Sequence, residues 1–286
     1  MKKLDAHNSQ INFYKILKYI SIIIAAISVV ALVAVIVFVI VNGIDKLSLP
    51  LLFGSFRSNQ PSILPAFIGT LELILVAAVI AVPLGIGSAV FLVEYMNNKG
   101  KLVRIITLAI ETLAGIPSIV YGLFGYLVFV VALNLGYTIL GGGLTLAIMV
   151  LPTIVRSIEE SLIAVPDGYR EGAYALGAGK VRTIFKIVLP SAAGGIVTAI
   201  ILAIGRIVSE SAVLILTVGM VVNTVPESLL SPGTSLALDI YYFASHGYPD
   251  EAAATAVVLL ALVVALNLIA GSLGKIISKR KGDINA

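Results

Sequence analysis

The chain has 286 residues, of which 59% are hydrophobic and only 12% charged, and this composition excludes a soluble globule with a polar surface. It contains no cysteine and two histidines. Disulfides, thiolate metal sites and cysteine nucleophiles are therefore excluded, and imidazole metal sites are disfavoured. We predict a polytopic membrane protein with one transmembrane domain, because no stretch outside the apolar runs is long enough to form a separate domain.

Long apolar runs predict six transmembrane helices, since a helix needs about 20 such residues to cross the hydrocarbon core. The first run is too long for the apolar core of a cleaved signal peptide, so we expect it to be retained. The third contains Gly115-Ile116-Pro117-Ser118, which predicts a short membrane-level helix followed by a broken one. The predicted spans are residues 19–41, 63–93, 102–135, 137–164, 190–218 and 252–277.

The positive charges indicate the orientation, because Lys and Arg concentrate in short cytoplasmic loops. Outside the membrane only Lys46 and Arg57 fall in the predicted outer loops. Both termini are therefore expected in the cytoplasm, with the chain in the inner or plasma membrane. Nucleic-acid binding is a poor explanation of the basic balance, and contact with anionic lipid a better one. The predicted domain organisation is a tail at residues 1–18, a six-helix transmembrane domain at 19–277 with a loop at about 166–189, and a tail at 278–286.

The loop at residues 166–189 is the one polar run of any length between two long apolar segments. Asp167 or Gly168 is predicted to cap a short helix, with Glu171 in its first turn, where the helix dipole favours an acid. Gly177 and the residues after it are predicted to end that helix. A second amphipathic segment then leads to Pro190 at the next span. Two short helices joined by a glycine turn make a knob that fits a groove on a partner; the alternative is an ordinary solvated loop.

The spacing in this loop resembles the cytoplasmic coupling motif of ABC-importer permeases. The matching positions are Glu171, Gly172, Ala173, Gly177, Ile187, Leu189 and Pro190, with Gly172 standing where the motif has a second Ala. That glycine is expected to loosen the helix by about 0.5–1 kcal/mol. Further blocks, at residues 63–70, 81–87, 115–125, 151–156 and 205–211, are similar to the PstA-type permease subunits of phosphate ABC importers.

The resemblance implies that the chain is one of two permeases enclosing a path for inorganic phosphate. The other subunits would be a PstC-type permease, two ATPase subunits and an extracytoplasmic phosphate-binding protein. ATP and Mg²⁺ would be bound by the ATPase, and the loop would transmit its movement in an alternating-access cycle. The sequence itself contains no P-loop and no nucleophile–His–acid set, so the chain is not expected to be an enzyme.

Arg206 and Glu210 are the most informative charges in the apolar segments, because a charge at membrane depth costs at least about 2.5–3.5 kcal/mol. Four residues apart on one predicted helix, they would share a face, with Ser209 and Ser211 beside Glu210. These four residues are the candidates for an anion path, since a guanidinium offers a planar fork of donors to oxyanion oxygens. The alternative is an internal ion pair that locks the bundle.

Other assignments stay open at this point. Glu72 and Glu111 lie in or near apolar stretches with no obvious basic neighbour in the sequence. The alternatives for function are a PstC-type sibling subunit, a permease for another oxyanion and, with less support, a gated channel. A membrane-embedded enzyme would need a catalytic cluster that the sequence does not contain.

Overall fold

The computed structural model describes the backbone of residues 2–54, 61–96 and 100–282, and side chains within residues 14–54, 61–96, 100–269 and 271–272. Arg57, one of the two outer-loop cations of the predicted topology, lies outside the described residues. Within the described ranges the secondary structure is helical, with no strand, which confirms the all-α prediction. The helices are α1 (Lys2–Gly43), α2 (Leu49–Phe53), α3 (Leu64–Val90), α4 (Lys101–Ala114), α5 (Ser118–Gly125), α6 (Ile139–Ile163), α7 (Asp167–Ala175), α8 (Lys180–Thr183), α9 (Leu189–Val208), α10 (Ala212–Thr217), α11 (Leu236–Ser245) and α12 (Pro249–Gly282).

In the described part of the chain, five helical segments are long and apolar enough to cross a membrane. A sixth crossing is obtained if α4 and the helix after it count as one span, bent by 99°. The bend falls at residues 115–117, where the sequence predicted a break. The five segments are Tyr14–Lys46, Leu64–Tyr95, Ile139–Ile163, Lys180–Val208 and Pro249–Ile269.

The core of the bundle is the packing of α3 against α6, with α9 and α10 on the other sides of α6. Glycines allow the two central helices to approach closely. A Cβ atom at Gly143 would collide with the Val76 side chain, and one at Gly85 would collide with Ile154. The two contacts lie nine residues apart on α3 and eleven apart on α6, so these helices stay in close contact over several turns.

The predicted fifth span, residues 190–218, is not one continuous helix. Helix α9 ends at Val208, and α10 begins only at Ala212. The hydroxyl of Ser209 donates to the carbonyls of Gly205 and Arg206, which lie in the last turn of α9. The Gly205 carbonyl also accepts a hydrogen bond from the Ser209 amide, so Ser209 closes the last turn with both its backbone and its side chain, and a polar side chain that binds helix-end carbonyls favours termination. Arg206 and Glu210 therefore do not share a helix face as predicted.

The connection between α10 and α12, residues 218–248, is folded. It contains α11, whose N-cap Ser235 accepts a hydrogen bond from the Leu238 amide. The Thr70 hydroxyl on α3 accepts a hydrogen bond of 2.9 Å from the Leu236 amide, which ties α11 to the bundle. Phe243 is fully buried in a second small core beside α12. The segment is thus a folded cover over one end of the bundle.

Candidate functional site

The loop after α6 begins with a helix whose start differs from the prediction. Pro166 occupies the N-cap position of α7, and no side chain makes a capping hydrogen bond there. Its fixed φ, here −57°, directs the chain into the helix, so α7 begins at Asp167. Asp167 is then the acid in the first turn, and Glu171 falls in the second. The predicted cap at Asp167 or Gly168 and the predicted place of Glu171 are both wrong.

The predicted end of this helix is confirmed. Gly177 has φ of +80°, a left-handed conformation that glycine adopts without strain. The Gly177 amide donates to the Tyr174 carbonyl at 2.9 Å and the Ala178 amide to the Ala173 carbonyl at 3.0 Å. This pair of bonds is a Schellman motif, which satisfies the last carbonyls of α7. A Cβ at Gly177 would meet no atom within 4 Å, so the backbone conformation alone demands glycine there.

The second half of the loop joins the bundle directly. Helix α8 passes through a π-helical turn, Ile184–Val188, into α9, and Pro190 lies in the first turn of α9 as expected. Ile187 and Leu189 are half-buried. The other face of the loop is apolar and exposed; we call it the coupling surface, and it consists of Tyr169, Tyr174, Leu176, Val181 and Phe185. Leu176 is 91% exposed, which is unusual for a leucine in a well-formed loop.

The sequence-predicted loop residues divide between the two faces. Glu171 and Gly172 are exposed, and a Cβ at Gly172 would meet no atom within 4 Å. Ala173, two positions after Glu171, is buried. The small residue in the motif is thus explained by packing inside the loop, where α7 lies against α8 and the π-helical turn after it, whereas Glu171 is free to contact a partner.

Arg170 makes contacts that sequence reasoning missed. Its Nε and Nη2 atoms both donate to one carboxylate oxygen of Glu94, at 3.0 and 2.8 Å. Its Nη1 and Nη2 atoms also donate to the carbonyls of Val165 and Leu162, at 2.8 and 3.0 Å. From the sequence, Arg170 was interpreted only as one of the positive charges predicted on the cytoplasmic side. Its pairing with Glu94 could not be predicted, because the two residues lie 76 positions apart.

Arg206 lies in the last turn of α9 and is half-buried. In the described part of the chain its guanidinium makes no hydrogen bond and no ion pair, and none joins it to Glu210. It interacts electrostatically with the phenol of Tyr121 on α5, whose hydroxyl donates to the Leu113 carbonyl at 2.8 Å. The break before α5 therefore places a buried tyrosine near Arg206, a contact that the sequence did not predict.

Glu210 serves the neighbouring helix. One of its carboxylate oxygens accepts a long hydrogen bond, 3.4 Å, from the Val213 amide in the first turn of α10. A carboxylate at that position also interacts favourably with the helix dipole. Ser211 is the N-cap residue but its side chain makes no cap bond, and Ser209 binds the carbonyls at the end of α9. The side chains of Ser209 and Glu210 therefore bind the two helix ends at the break between α9 and α10, with Arg206 beside it.

The remaining acids identified in the sequence differ in surroundings. Glu111 is exposed on α4 and lines a surface groove with Lys101 and Arg104. Glu72 on α3 is half-buried, and one of its carboxylate oxygens is buried with no hydrogen-bond partner in the described residues. In the same described part, no group of three or more His, Asp or Glu side chains could hold a metal ion.

Asp239 is a buried acid that the sequence did not single out. It lies on α11 with no exposed surface, and its Oδ1 atom accepts a hydrogen bond from the Thr234 hydroxyl. Its Oδ2 atom is buried without a partner among the described residues. Burial raises the pKa of Asp239 to about 7, although the hydrogen bond from Thr234 acts in the opposite direction.

The helical bundle, with five to six segments of the described chain long and apolar enough to cross a membrane, is the fold of a polytopic membrane protein. The chain belongs to the family of binding-protein-dependent transport system inner membrane components, whose model matches residues 81–283. This confirms the ABC-importer resemblance of the coupling motif. The family match extends beyond the loop to most of the bundle.

Three curated relatives are similar over most of their length. A probable ABC transporter permease protein, YqgI of Bacillus subtilis, is 33% identical over 90% of this chain and 93% of its own. The phosphate transport system permease protein PstA 1 of Mycobacterium tuberculosis is 38% identical over 76% of this chain and 71% of its own. The phosphate transport system permease protein PstA of Yersinia pestis is 35% identical over 81% and 79%.

Solved structures confirm the fold. An inward-facing form of the MetNI methionine ABC transporter matches with a TM-score of 0.60 and 21% identity, over 75% of this chain and 94% of that chain. A histidine-bound amino acid ABC transporter matches with a TM-score of 0.57 and 18% identity, over 74% and 92%. At these identities the likeness concerns the arrangement of helices alone.

Proposed function

We propose that this chain is the PstA-type permease subunit of an ATP-driven importer for inorganic phosphate, forming half of the translocation path. Its similarity to named phosphate permeases over most of their length supports the assignment. The observation that carries it is Arg206, whose guanidinium makes no hydrogen bond and no ion pair in the described part of the chain. A half-buried guanidinium with free donors fits a tetrahedral oxyanion, because two of its N–H groups can bind two oxygens in parallel.

The coupling surface is the proposed docking site for an ATPase subunit. Its apolar side chains are exposed on a loop whose own buried residues include Ala173, Ile184 and Val188, so docking would bury them without unfolding the loop. Glu171 adds a charged contact at the edge of this surface. In this proposal the ATPase partner binds ATP and Mg²⁺. The present chain supplies half of the translocation path and the coupling loop, but no catalytic residue.

The further partners proposed are a PstC-type permease, a second ATPase copy and an extracytoplasmic phosphate-binding protein. Helix α1 offers a large apolar area for lipid or for the second permease, since none of the most apolar window of its span is buried within this chain. Gly43 at its end lies against the Ala253 carbonyl on α12, which is where α1 joins the bundle.

The proposed orientation has both termini in the cytoplasm and α11 outside. Because the chain has no cysteine, single cysteines report accessibility on a clean background. Ser245→Cys, at the exposed end of α11, should react with an impermeant maleimide in intact cells. Lys101→Cys, exposed at the start of α4, should react only after permeabilisation. The reverse labelling would overturn this topology.

Transport by the reconstituted complex tests the substrate. The chain is co-expressed with its cognate second permease and ATPase, placed in proteoliposomes, and supplied with the binding protein and internal or external ATP as orientation requires. We expect ATP-dependent uptake of radiolabelled phosphate that excess arsenate blocks and excess sulfate does not. Uptake of sulfate or molybdate in place of phosphate would establish the other-oxyanion alternative instead.

A further inference from the structure

We propose that Arg170 is a positioning residue that joins the coupling helix α7 to the two central helices of the bundle, α3 and α6. The proposal rests on the proposed function, in which α7 moves with the ATPase. Arg170 is proposed to transmit the movement of α7 to the helices that line the translocation path. Arg170 itself does not contact substrate or nucleotide.

Arg170, which lies on α7, makes contacts at the ends of two other helices, α3 and α6. Glu94 lies in the π-helical turn that ends α3, and it receives two N–H donors from the guanidinium. The carbonyls of Leu162 and Val165 lie at and just beyond the end of α6. Carbonyls at a helix end lack intrahelical partners, so an arginine that binds them fixes itself to the helix terminus. Arg170 is therefore attached to both central helices and belongs to a third.

Burial distinguishes this joint from an ordinary surface ion pair. The side chain of Arg170 is 13% exposed and that of Glu94 is 5% exposed. An exposed pair is weak because water screens it, whereas a buried, hydrogen-bonded pair cannot lose one member without leaving an uncompensated charge. The planar guanidinium also holds its donors in a fixed relative geometry, so a shift or rotation of α7 is resisted in several directions.

A second contact lies beside the first. The ammonium of Lys180, at the start of α8, lies 4.7 Å from the centre of the Tyr95 ring, immediately after Glu94. The coupling loop therefore contacts the end of α3 from both of its short helices. Since α3 packs along α6, displacement of this end is transmitted to the bundle core rather than absorbed by a flexible linker.

The chain provides a matched pair of acids for testing the joint. Arg170 also contacts Asp167 at 3.2 Å, but Asp167 is 87% exposed whereas Glu94 is 5% exposed. Glu94→Gln removes the buried charge and keeps a similar shape. Asp167→Asn makes the same chemical change on the same arginine in water. A joint that depends on burial predicts that only the first change uncouples transport.

The experiment measures coupling in the complete complex in proteoliposomes, comparing the native chain with Arg170→Gln, Arg170→Lys, Glu94→Gln and Asp167→Asn. The readouts are co-purification of the ATPase, basal ATP hydrolysis, its stimulation by phosphate-loaded binding protein, and phosphate taken up per ATP hydrolysed. We expect Arg170→Gln and Glu94→Gln to assemble and hydrolyse ATP, but to lose uptake per ATP by about 5- to 150-fold, the range typical of coupling between sites. Arg170→Lys should fall in between, and Asp167→Asn should match the native complex.

The outcomes separate this proposal from the one on which it rests. Failure of the ATPase to bind the native chain would remove the docking assignment itself. With docking intact, unchanged uptake per ATP in Arg170→Gln and Glu94→Gln would overturn the joint. Loss of assembly in both variants would also overturn it, in favour of a role in folding alone. Equal loss in Asp167→Asn and Glu94→Gln would contradict the dependence on burial.

Discussion

Arg170 and Arg206 lie at two different levels of the same bundle and have opposite surroundings. Arg170 is 13% exposed, and its donors are occupied by two carboxylates and two backbone carbonyls. Arg206 is half-buried, and in the described part of the chain none of its donors is occupied. The first charge is compensated within the chain, and the second is not. This difference separates an arginine that holds helices together from one that can bind a ligand.

The free-energy cost of burying a charge explains why the surroundings of Arg170 and Arg206 matter. A charge at membrane depth costs at least about 2.5–3.5 kcal/mol on insertion scales, so such groups usually face a partner or a cavity. Arg170 offsets its desolvation through Glu94. The neighbouring acid of Arg206, Glu210, is instead directed to the Val213 amide. The geometry thus favours the anion-path hypothesis over the internal ion pair, because the pair is not formed in this structure.

The largest effect is expected from disrupting the loop that carries the coupling surface, at the exposed Glu171 and at the glycine turn that ends α7. Glu171→Arg with Gly177→Val reverses an exposed charge and places a β-branched residue at φ of +80°. ATPase co-purification and phosphate uptake should both be lost, with membrane insertion unchanged. Gly168→Ala is the control, since a Cβ at that exposed position meets no atom within 4 Å. Normal ATPase binding by the double variant would refute the docking assignment.

A nearly equal effect on uptake, without loss of assembly, is expected at the other arginine. Arg206→Gln should reduce phosphate uptake by about 30-fold or more, because losing one partner of a buried charged hydrogen bond costs about 2–5 kcal/mol. Arg206→Lys should retain partial uptake, since a point charge replaces two aligned donors. Both complexes should still contain ATPase, as judged by co-purification.

The double variant Arg206→Gln with Glu210→Gln distinguishes the two hypotheses for this charge. If Arg206 only compensated Glu210, removing both charges would restore uptake. We expect uptake to remain lost, because the structure shows no bond between the two side chains in the described part of the chain. Recovery of uptake in the double variant would assign the pair a structural role.

Asp239 is intermediate between Arg170, whose polar atoms are hydrogen-bonded, and Arg206, whose donors are without hydrogen bonds in the described part of the chain. One of its carboxylate oxygens is hydrogen-bonded and the other has no partner in the described residues. Its pKa rises from 3.8 to about 7 on burial, so between these values the folded chain holds a proton that the unfolded chain has released. Stability must therefore fall as pH rises from about 4 through 7. Asp239→Asn should remove this loss, raising Tm in detergent at pH 8 by about 2–4 °C or more.

The control for Asp239 is Asp45→Asn, which changes an exposed acid between α1 and α2. Its Tm should follow the native chain at every pH. The difference in Tm between each variant and the native chain, followed with pH, reports the titration of the substituted acid alone. A native Tm that does not fall relative to Asp239→Asn between pH 5 and pH 8 would show that the acid is not protonated in the folded state.

The sequence predicted those features that depend on neighbouring residues. The glycine turn at Gly177 and the helix start at Pro190 follow from local backbone preferences, and both are present. The break after Val208 was missed because a short polar interval, residues 209–211, interrupts a long apolar run without Pro or Gly. Its cause is a set of side-chain bonds to helix ends, which hydropathy does not register.

Tertiary contacts were beyond the reach of the sequence pattern. Arg170 meets Glu94 across 76 positions, and nothing in the spacing of either residue indicates the other. Tyr121 approaches Arg206 only because the chain bends by 99° before α5. Asp239 lies between the predicted fifth and sixth spans, where the sequence singled out no residue. Each depends on how helices pack, so each required three-dimensional coordinates.

The smallest expected effect concerns the stiffness of α7 between the docking site and Arg170. Gly172 is exposed in the middle of this helix, and a Cβ there meets no atom within 4 Å, so Gly172→Ala should stabilise α7 by about 0.5–1 kcal/mol. Amide hydrogen exchange in α7 should slow about two- to fivefold, with transport retained. Gly177→Ala, at φ of +80°, should have the opposite effect because alanine is strained there. If Arg170 already holds α7 in place, the change in exchange rate will be greatest at the exposed C-terminal turn of α7 and least next to Arg170. A uniform change along α7 would mean that the helix moves as one unit and that Arg170 does not restrain it locally.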